Sequence, residues 1–226
     1  MKLKALVPMR DVSVRVENKN YRSFGNGLPL FTHVINSLLE CKSIELVIIN
    51  TDSKKIKQYC KKNYPQILII DRPDYLVDGT ISMNEIIKND LNMVKGDFFL
   101  QTHSTNPLVR SKTFQSGIEL FFENYPKYDS VFSVTKYQNR LWDSKINPIN
   151  HDKNILLRTQ DLEPLYEENS CFYIFERENF LNSKNRIGNK PLFFNIDKYE
   201  AQDIDYEVDF FIAEKIYAYQ KQSQRN

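Results

Sequence analysis

Residues 44–50 read Ile-Glu-Leu-Val-Ile-Ile-Asn, a nearly continuous apolar run of the kind found in strands that are buried on both faces. Thr51-Asp52-Ser53 follows as a helix-capping sequence, and a lysine-rich helix is predicted from there to about Asn63. A buried strand followed closely by a helix is the repeating unit of a parallel sheet. This stretch therefore predicts an α/β fold.

The same alternation of strands and helices extends over the first 135 residues. Further strands are predicted at 3–9, 66–71, 97–101 and 130–135, and further helices at 29–41, 82–93 and 111–124. Apolar runs of this kind, separated by helices, indicate a mostly parallel sheet covered on both faces.

The last third of the chain breaks this pattern. Residues 138–168 are polar and irregular, and a stretch of this length is uncommon in a compact domain unless it binds something or pairs with another chain. Strands are predicted again at 171–176 and 192–196, and a final helix at 206–219. The spacing along that helix predicts one buried face, comprising Val208, Phe211, Ile212, Lys215 and Ile216.

Length and composition restrict the possible functions. The 226 residues are expected to form one domain, at ~100–200 residues per domain. The net charge of +2 argues against a general polyanion binder, so no nucleic-acid partner is expected. No apolar run reaches the ~18 residues of a membrane span, and the N-terminal run is too short for a signal peptide. Cys41, Cys60 and Cys171 are interpreted as reduced packing residues of a cytoplasmic protein.

The loop after the first predicted strand is the first candidate for a site, because ligands of open α/β sheets bind beyond the carboxyl ends of the strands. Four cations occur there within thirteen residues: Arg10, Arg15, Lys19 and Arg22. Such groups neutralise and orient the oxygens of a triphosphate, although a solvated surface loop would show the same pattern. The chain has only 6 glycines and neither a Walker A nor a GxGxxG sequence, which disfavours P-loop ATPases and Rossmann dehydrogenases.

Acidic residues cluster just before the final predicted helix. Asp203 and Asp205 are two residues apart, so on an extended segment both carboxylates point the same way. Such a pair suits a hard cation like Mg²⁺, which keeps several waters and bridges phosphates. The alternative is helix capping, with Asp205 as the N-cap of the final helix.

Five short motifs occur in an order and at intervals that resemble one family. The motifs are Arg10…Ser13…Lys19-Asn20, Arg72-Pro73…Leu76, the His103–Leu108 turn, Glu168-Asn169…Tyr173 and Asp203-Ile204-Asp205. Together they resemble the acylneuraminate (CMP-sialic acid synthetase) cytidylyltransferases, including the pseudaminic and legionaminic acid enzymes, from residue 3 to about 218. The resemblance implies a Rossmann-like sheet of the nucleotide-diphospho-sugar transferase type. It also implies a homodimer in which residues 138–170 form a dimerisation and acceptor-site arm.

The resemblance assigns roles to individual residues. Arg10 and Lys19 would bind the CTP phosphates, and Asp203 and Asp205 would bind Mg²⁺. In the reaction that follows from these parts, Arg10, Arg15 and Lys19 are expected to stabilise charge on the leaving pyrophosphate. The remaining nucleotide-binding positions would be Ser13, Asn20, Arg72, Ser82 and His103, with Arg72 and Ser82 at the cytosine end. The acceptor-binding positions would be Arg158, Gln160, Asn169 and Tyr173. For Arg72 the alternative is a surface ion pair with Asp71 or Asp74.

Three positions depart from the family pattern. Val14 stands where a lysine is usual, Asp11-Val12 replaces a Gly-Gly pair, and His103 stands at a glutamine position. These changes indicate a side branch whose acceptor need not be a sialic acid.

The implied reaction transfers CMP from CTP to a 2-keto sugar acid of the sialic, pseudaminic or legionaminic type. Two alternatives remain: a cytidylyltransferase acting on another acid, such as an octulosonate or a phosphonate, and a catalytically inactive nucleotide-binding subunit.

Overall fold

The predicted apolar runs form a central sheet in the computed structural model, which describes residues 1–223. The strands are β1 (Leu3–Met9), β2 (Ser23–Phe24), β3 (Leu28–Pro29), β4 (Ile44–Thr51), β5 (Leu68–Asp71), β6 (Phe98–Thr102), β7 (Ser130–Tyr137), β8 (Leu165–Glu176) and β9 (Pro191–Asn195). The helices are α1 (Leu30–Leu39), α2 (Lys54–Asn63), α3 (Met83–Met93), α4 (Ser111–Asn124), α5 (Arg177–Ser183) and α6 (Glu207–Ser223).

The main sheet has the strand order β5-β4-β1-β6-β8-β7-β9, and β2 and β3 form a separate antiparallel ribbon. Neighbours from β5 to β6 are parallel, as are β7 and β9. Strand β8 alone runs antiparallel to both of its neighbours. The prediction of a mostly parallel α/β sheet is therefore confirmed.

The two faces of the sheet bury separate hydrophobic clusters, because successive side chains of a strand point to opposite faces. Ala5 and Val7 of β1 face one cluster together with residues of α1 and α4, whereas Leu6 faces the other together with residues of α3. The three cysteines are free and buried, as expected for packing residues. None of the helices in the described part of the chain is long and apolar enough to cross a membrane.

Strand β8 extends further toward the N-terminus than the sequence predicts. Its first residues, 165–168, are mostly exposed and lack an apolar pattern, yet they pair with Val134–Tyr137 of β7. The register shifts between Phe132 and Val134, and Ser170 takes a left-handed φ of 58° opposite this irregularity. Hydrogen bonding to β7 thus extends this strand beyond the core, into residues whose sequence has no apolar pattern to predict it.

The predicted buried face of the last helix is mostly wrong: Ile216 packs against a buried cluster, but Val208, Phe211 and Ile212 are exposed. Phe210 is 2% exposed, whereas its neighbour Phe211 is 58% exposed. Phe210 packs edge-on against Phe24 of the β2–β3 ribbon, with ring centroids 5.5 Å apart, and Ala213 is also buried there. The ribbon, which the sequence pattern did not predict, selects the face that α6 buries.

This geometry predicts opposite outcomes for two adjacent phenylalanines. Phe210→Ala should lower the free energy of unfolding by about 3–5 kcal/mol, because it empties a packed site. Phe211→Ala, the matched control, should change it by less than about 0.5 kcal/mol. Urea unfolding of both variants measures the difference, and equal losses would contradict the observed orientation of α6.

Candidate functional site

A cavity of about 390 Å³ lies at the edge of the sheet where the parallel strands end. The loop after β1 contributes Arg10, Ser13, Arg15, Lys19 and Asn20. The loop after β5 contributes Arg72, Asp78 and Gly79, and the turn after β6 contributes His103, Ser104 and Thr105. Ser170 of β8 and the carboxylates Asp203 and Asp205 complete the polar part of the lining. The structure therefore brings together most residues that the sequence assigned to the nucleotide and the metal.

Internal hydrogen bonds hold the loop after β1 in place. The side-chain amide of Asn20 donates to the carbonyl oxygen of Arg10 at 2.9 Å, and its Oδ1 accepts from Ser104 Oγ at 2.8 Å. The backbone N–H of Asp11 donates to Asp52 Oδ1 at 2.9 Å, which ties the loop to the end of β4. Asn20 therefore acts here as a support for the loop and connects it to the turn after β6.

The cations of this loop meet the carboxylates that precede α6. Arg15 Nη2 lies 2.6 Å from Asp205 Oδ1. Lys19 Nζ donates to the carbonyl oxygen of Ile204 at 2.5 Å and lies 3.7 Å from Asp205 Oδ1. Burial lowers the pKa of Lys19, and the charges of Asp205 and Asp203 oppose that shift. The two charge clusters seen in the sequence thus form one electrostatic site.

The side chain of Asp205 does not cap helix α6. Asp209, in the first turn of α6, accepts hydrogen bonds from the backbone N–H groups of Tyr206 at 2.7 Å and Asp205 at 3.1 Å. This is the reach-back contact of a capping box. Because Asp209 caps the helix, the side chain of Asp205 faces the cavity and its cations.

Asp203 is the more buried of the two carboxylates, and burial raises its pKa. Its Oδ1 atom is buried and has no hydrogen-bond partner within residues 1–223. A buried carboxylate oxygen without a donor is costly unless a cation or another donor satisfies it. Among the described residues, no cluster of three or more His, Cys, Asp or Glu side chains forms a complete metal site. Two carboxylates at a cavity have the donor chemistry to hold Mg²⁺, which takes many of its ligands from phosphates and water.

Arg72 is only 6% exposed and does not form either surface ion pair considered for it. Its Nε donates to Asn50 Oδ1 at 2.6 Å, and the amide of Asn50 donates to Asp90 Oδ1 at 2.5 Å. Asp71 pairs instead with Lys57 at 2.6 Å. Burial raises the pKa of Asp90 to about 6, with the Asn50 hydrogen bond opposing the shift. The buried row Asp90–Asn50–Arg72 fixes the arginine at the cavity wall.

Two sequence-assigned residues lie just behind the cavity. Asn169 is buried, accepts from Ser133 Oγ at 2.6 Å and donates to Thr135 Oγ1 at 2.9 Å, so it holds the irregularity between β7 and β8. Tyr173 is fully buried, and its hydroxyl lies 3.2 Å from the hydroxyl of Ser170. Both support Ser170, which lines the cavity itself.

Three other assigned residues lie outside the cavity. Ser82 is the N-cap of α3, accepting from the backbone N–H of Glu85 at 3.4 Å. Arg158 is exposed on the arm and pairs with Asp161 at 2.7 Å. The carbonyl oxygen of Gln160 accepts from Gln138 at 2.9 Å. For these three residues, contact with a substrate stays a prediction.

Sequence reasoning missed part of the lining. Ser104 and Thr105 belong to the His103–Leu108 motif and Ser170 lies within the Glu168-Asn169…Tyr173 motif, but none of the three was given a role. Asp78 and Gly79 carried no signal in the sequence. A Cβ atom on Gly79 would lie 2.6 Å from Arg10 Nη1, so the missing side chain leaves room for the guanidinium.

Comparison with known proteins identifies the family of the chain. The sequence profile of the family described as Cytidylyltransferase matches residues 4–224. The chain belongs to the cytidylyltransferase family. It is 26% identical to the CMP-N,N'-diacetyllegionaminic acid synthase of Legionella pneumophila, with 96% of each chain covered. It is also 26% identical to the N-acylneuraminate cytidylyltransferase of Escherichia coli O18:K1:H7, covering 94% of this chain and 51% of that protein. The chain thus spans about half the length of the E. coli relative.

A solved structure shares the fold of this cytidylyltransferase. CMP:2-keto-3-deoxy-manno-octonic acid synthetase, complexed with CTP, superimposes with a TM-score of 0.70 at 13% identity. The match covers 99% of this chain and 100% of the other. It confirms the expected nucleotidyltransferase type of α/β fold.

The buried carboxyl of Asp90 predicts a pH-dependent stability. Its pKa rises from 3.8 to about 6 on folding, so the folded state binds the proton more tightly than the unfolded state. The wild type should therefore lose about 3 kcal/mol of stability, relative to Asp90→Asn, as the pH rises from about 3 to 7, since one pKa unit is 1.36 kcal/mol.

Urea unfolding of wild type and Asp90→Asn at several pH values measures this difference. Asp71→Asn, in which an exposed carboxyl is removed, is the control and should not reproduce the trend. A difference that is constant over this pH range would contradict the raised pKa.

Proposed function

We propose that this cytidylyltransferase transfers CMP from CTP to the anomeric hydroxyl of a 2-keto sugar acid and releases pyrophosphate. The observation that carries the proposal is the convergence of Arg15 and Lys19 with Asp203 and Asp205 in one cavity of a family member. The names of the relatives support acceptors of the sialic, legionaminic and pseudaminic type.

In the proposed reaction the anomeric hydroxyl oxygen attacks the α-phosphorus of CTP. The bond from that phosphorus to the oxygen bridging to the β-phosphate breaks, pyrophosphate leaves, and the hydroxyl proton passes to solvent. Such transfers depend on positioning and charge stabilisation rather than on a covalent intermediate. Arg10, Arg15 and Lys19 supply that stabilisation as charge grows on the departing pyrophosphate.

Asp203 and Asp205 are proposed to hold Mg²⁺, which would neutralise phosphate charge when bound. The unpartnered Oδ1 of Asp203 supports this assignment, as does the position of both residues in the cavity lining. Arg15 and Lys19 now neutralise Asp205, and we expect them to turn toward the phosphates of a bound nucleotide.

Residues 138–170 are proposed to pair with a second copy of the chain, giving a homodimer. The apolar surface of this arm supports the proposal: Leu156 is 89% exposed, and Ile146, Ile149 and Ile155 are also exposed. Burial of such a patch would favour association. In that assembly Arg158 and Gln160 would bind the acceptor.

The proposal predicts pyrophosphate release from CTP and Mg²⁺ in the presence of a sugar acid. Testing N-acetylneuraminic, legionaminic, pseudaminic and octulosonic acids, together with a phosphonate, identifies the acceptor class. Asp203→Asn should lower kcat at least ~10²-fold, by comparison with the loss of one electrostatic stabiliser. Asp197→Asn, in an exposed loop outside the cavity, is the control. CTP binding without turnover on any of these acids would instead support an inactive nucleotide-binding subunit.

A further inference from the structure

A polar cluster, buried or half-buried except for Glu168, adjoins the cavity and has no part in the phosphate chemistry described above. It consists of Gln101, His103, Glu168, Tyr173 and Arg186. Within this cluster only His103 lines the cavity. Arg186, on the loop between α5 and β9, was not singled out by any pattern in the sequence.

Arg186 makes contacts on every side of its guanidinium, and its side chain is only 15% exposed. Nη1 donates to Gln101 Oε1 at 2.5 Å and lies 3.5 Å from His103 Nε2. The guanidinium carbon stacks 3.6 Å from the centre of the Tyr173 ring, a cation–π distance. Nη2 lies 3.9 Å from Glu168 Oε1. A planar, permanently charged donor held in this way is pre-organised.

The loop that carries Arg186 is itself held in place. Ser130 Oγ donates to the carbonyl oxygen of Ile187. The carboxylate of Asp129 accepts from the backbone N–H groups of Asn189 at 2.8 Å and Lys190 at 2.9 Å. The position of the guanidinium is therefore set by the backbone around it.

These contacts determine which nitrogen of His103 carries the proton. Gln101 Oε1 accepts from Arg186 and Gln101 Nε2 donates to the carbonyl oxygen of Thr102 at 2.8 Å, so the amide can have only one orientation. That Nε2 lies 3.2 Å from His103 Nε2. His103 Nε2 thus faces two N–H donors and must accept, which leaves the proton on Nδ1.

We propose that Arg186 is a positioning residue that fixes His103 as a neutral Nδ1–H donor toward the substrate. The resemblance assigned His103 to the nucleotide, but Tyr173, which stacks on Arg186 in the same cluster, was assigned to the acceptor. We therefore take the ligand of His103 to be a carbonyl or carboxylate oxygen of the sugar acid, and an ammonium or amide N–H at the same point to be disfavoured. A glutamine, usual at this position in the family that the sequence resembles, offers a donor and an acceptor and lacks this restriction. The identity of the substrate rests on the proposed function, whereas the state of the imidazole does not.

The charges around the imidazole support a neutral ring. Burial, together with the charges of Arg186 and Lys19, lowers the pKa of His103 to about 3. The other titratable groups of the cluster are Glu168, which pairs with Arg186, and Tyr173, whose pKa is raised to about 12 by burial. A doubly protonated ring would direct a second N–H at the guanidinium, which itself has only donors.

The test is nitrogen-15 and proton NMR of the histidine rings in the full chain without ligand, from pH 5 to 8. The chain has 3 histidines, so His33→Gln and His151→Gln complete the assignment. The expected wild-type signal is one neutral Nδ1–H ring for His103 throughout this range. In Arg186→Gln the single tautomer should be lost, while Lys190→Gln, which removes a cation from the same loop, should leave it unchanged.

Kinetics on the acceptor found by the pyrophosphate assay give a second measure. Arg186→Gln should raise the acceptor KM about tenfold and change the CTP KM less than twofold. Arg186→Lys should behave in the same way, with the single tautomer lost and the acceptor KM raised. A wild-type His103 that is protonated on Nε2, or an unchanged spectrum in a folded Arg186→Gln protein, would overturn the proposal. Because the NMR measurement needs no substrate, its failure is distinct from a failure of the proposed reaction.

Discussion

The ion pair between Arg15 and Asp205 joins two parts of the chain on which the whole site depends. These residues are separated by 190 positions in sequence, yet their charged atoms lie 2.6 Å apart. Lys19 adds a hydrogen bond to the neighbouring carbonyl, and Arg22 pairs with Glu207 at 2.6 Å. Exposed ion pairs contribute little to stability individually. Their role here is to hold a cationic loop against a pair of carboxylates at one cavity.

This alignment also accounts for the orientation of the last helix. Asp209 caps α6, which leaves Asp205 to the cavity, and Arg22 lies 4.1 Å over the ring of Phe210. The β2–β3 ribbon covers the other side of that ring. The helix that follows the carboxylates is thus fixed by the same segment that supplies the cations. The proposed phosphate site, built from long side chains, is consistent with the scarcity of glycine in the sequence.

The sheet and the position of the cationic loop could be predicted from the sequence, because both are marked by short stretches of neighbouring residues. Buried strands such as Ile44–Thr51 are marked by their composition, and the cations of the first loop follow directly from the end of β1. The family resemblance assigned Arg10, Arg72 and His103 to one nucleotide site, and the carboxyl ends of parallel strands meet at one edge of a sheet. All three residues line one cavity, and their contact with a nucleotide stays a prediction.

The remaining features depend on contacts between distant segments. The buried row behind Arg72 needs Asn50 and Asp90 from two different elements, and neither residue carries a motif. Arg186 reaches His103 across 83 positions from an irregular loop. The buried face of α6 depends on a short ribbon with no periodic signal. In each case tertiary packing, which a single sequence does not display, decides the role of the residue.

The central claim is that these cations and carboxylates form one binding site for a magnesium–nucleotide triphosphate. Isothermal titration of the full chain with CTP, with and without Mg²⁺, tests it without any acceptor. The account predicts CTP binding that strengthens with Mg²⁺ and is weakened by both Lys19→Ala and Asp205→Ala. Absence of CTP binding by the wild type, or binding that neither substitution alters, would contradict it.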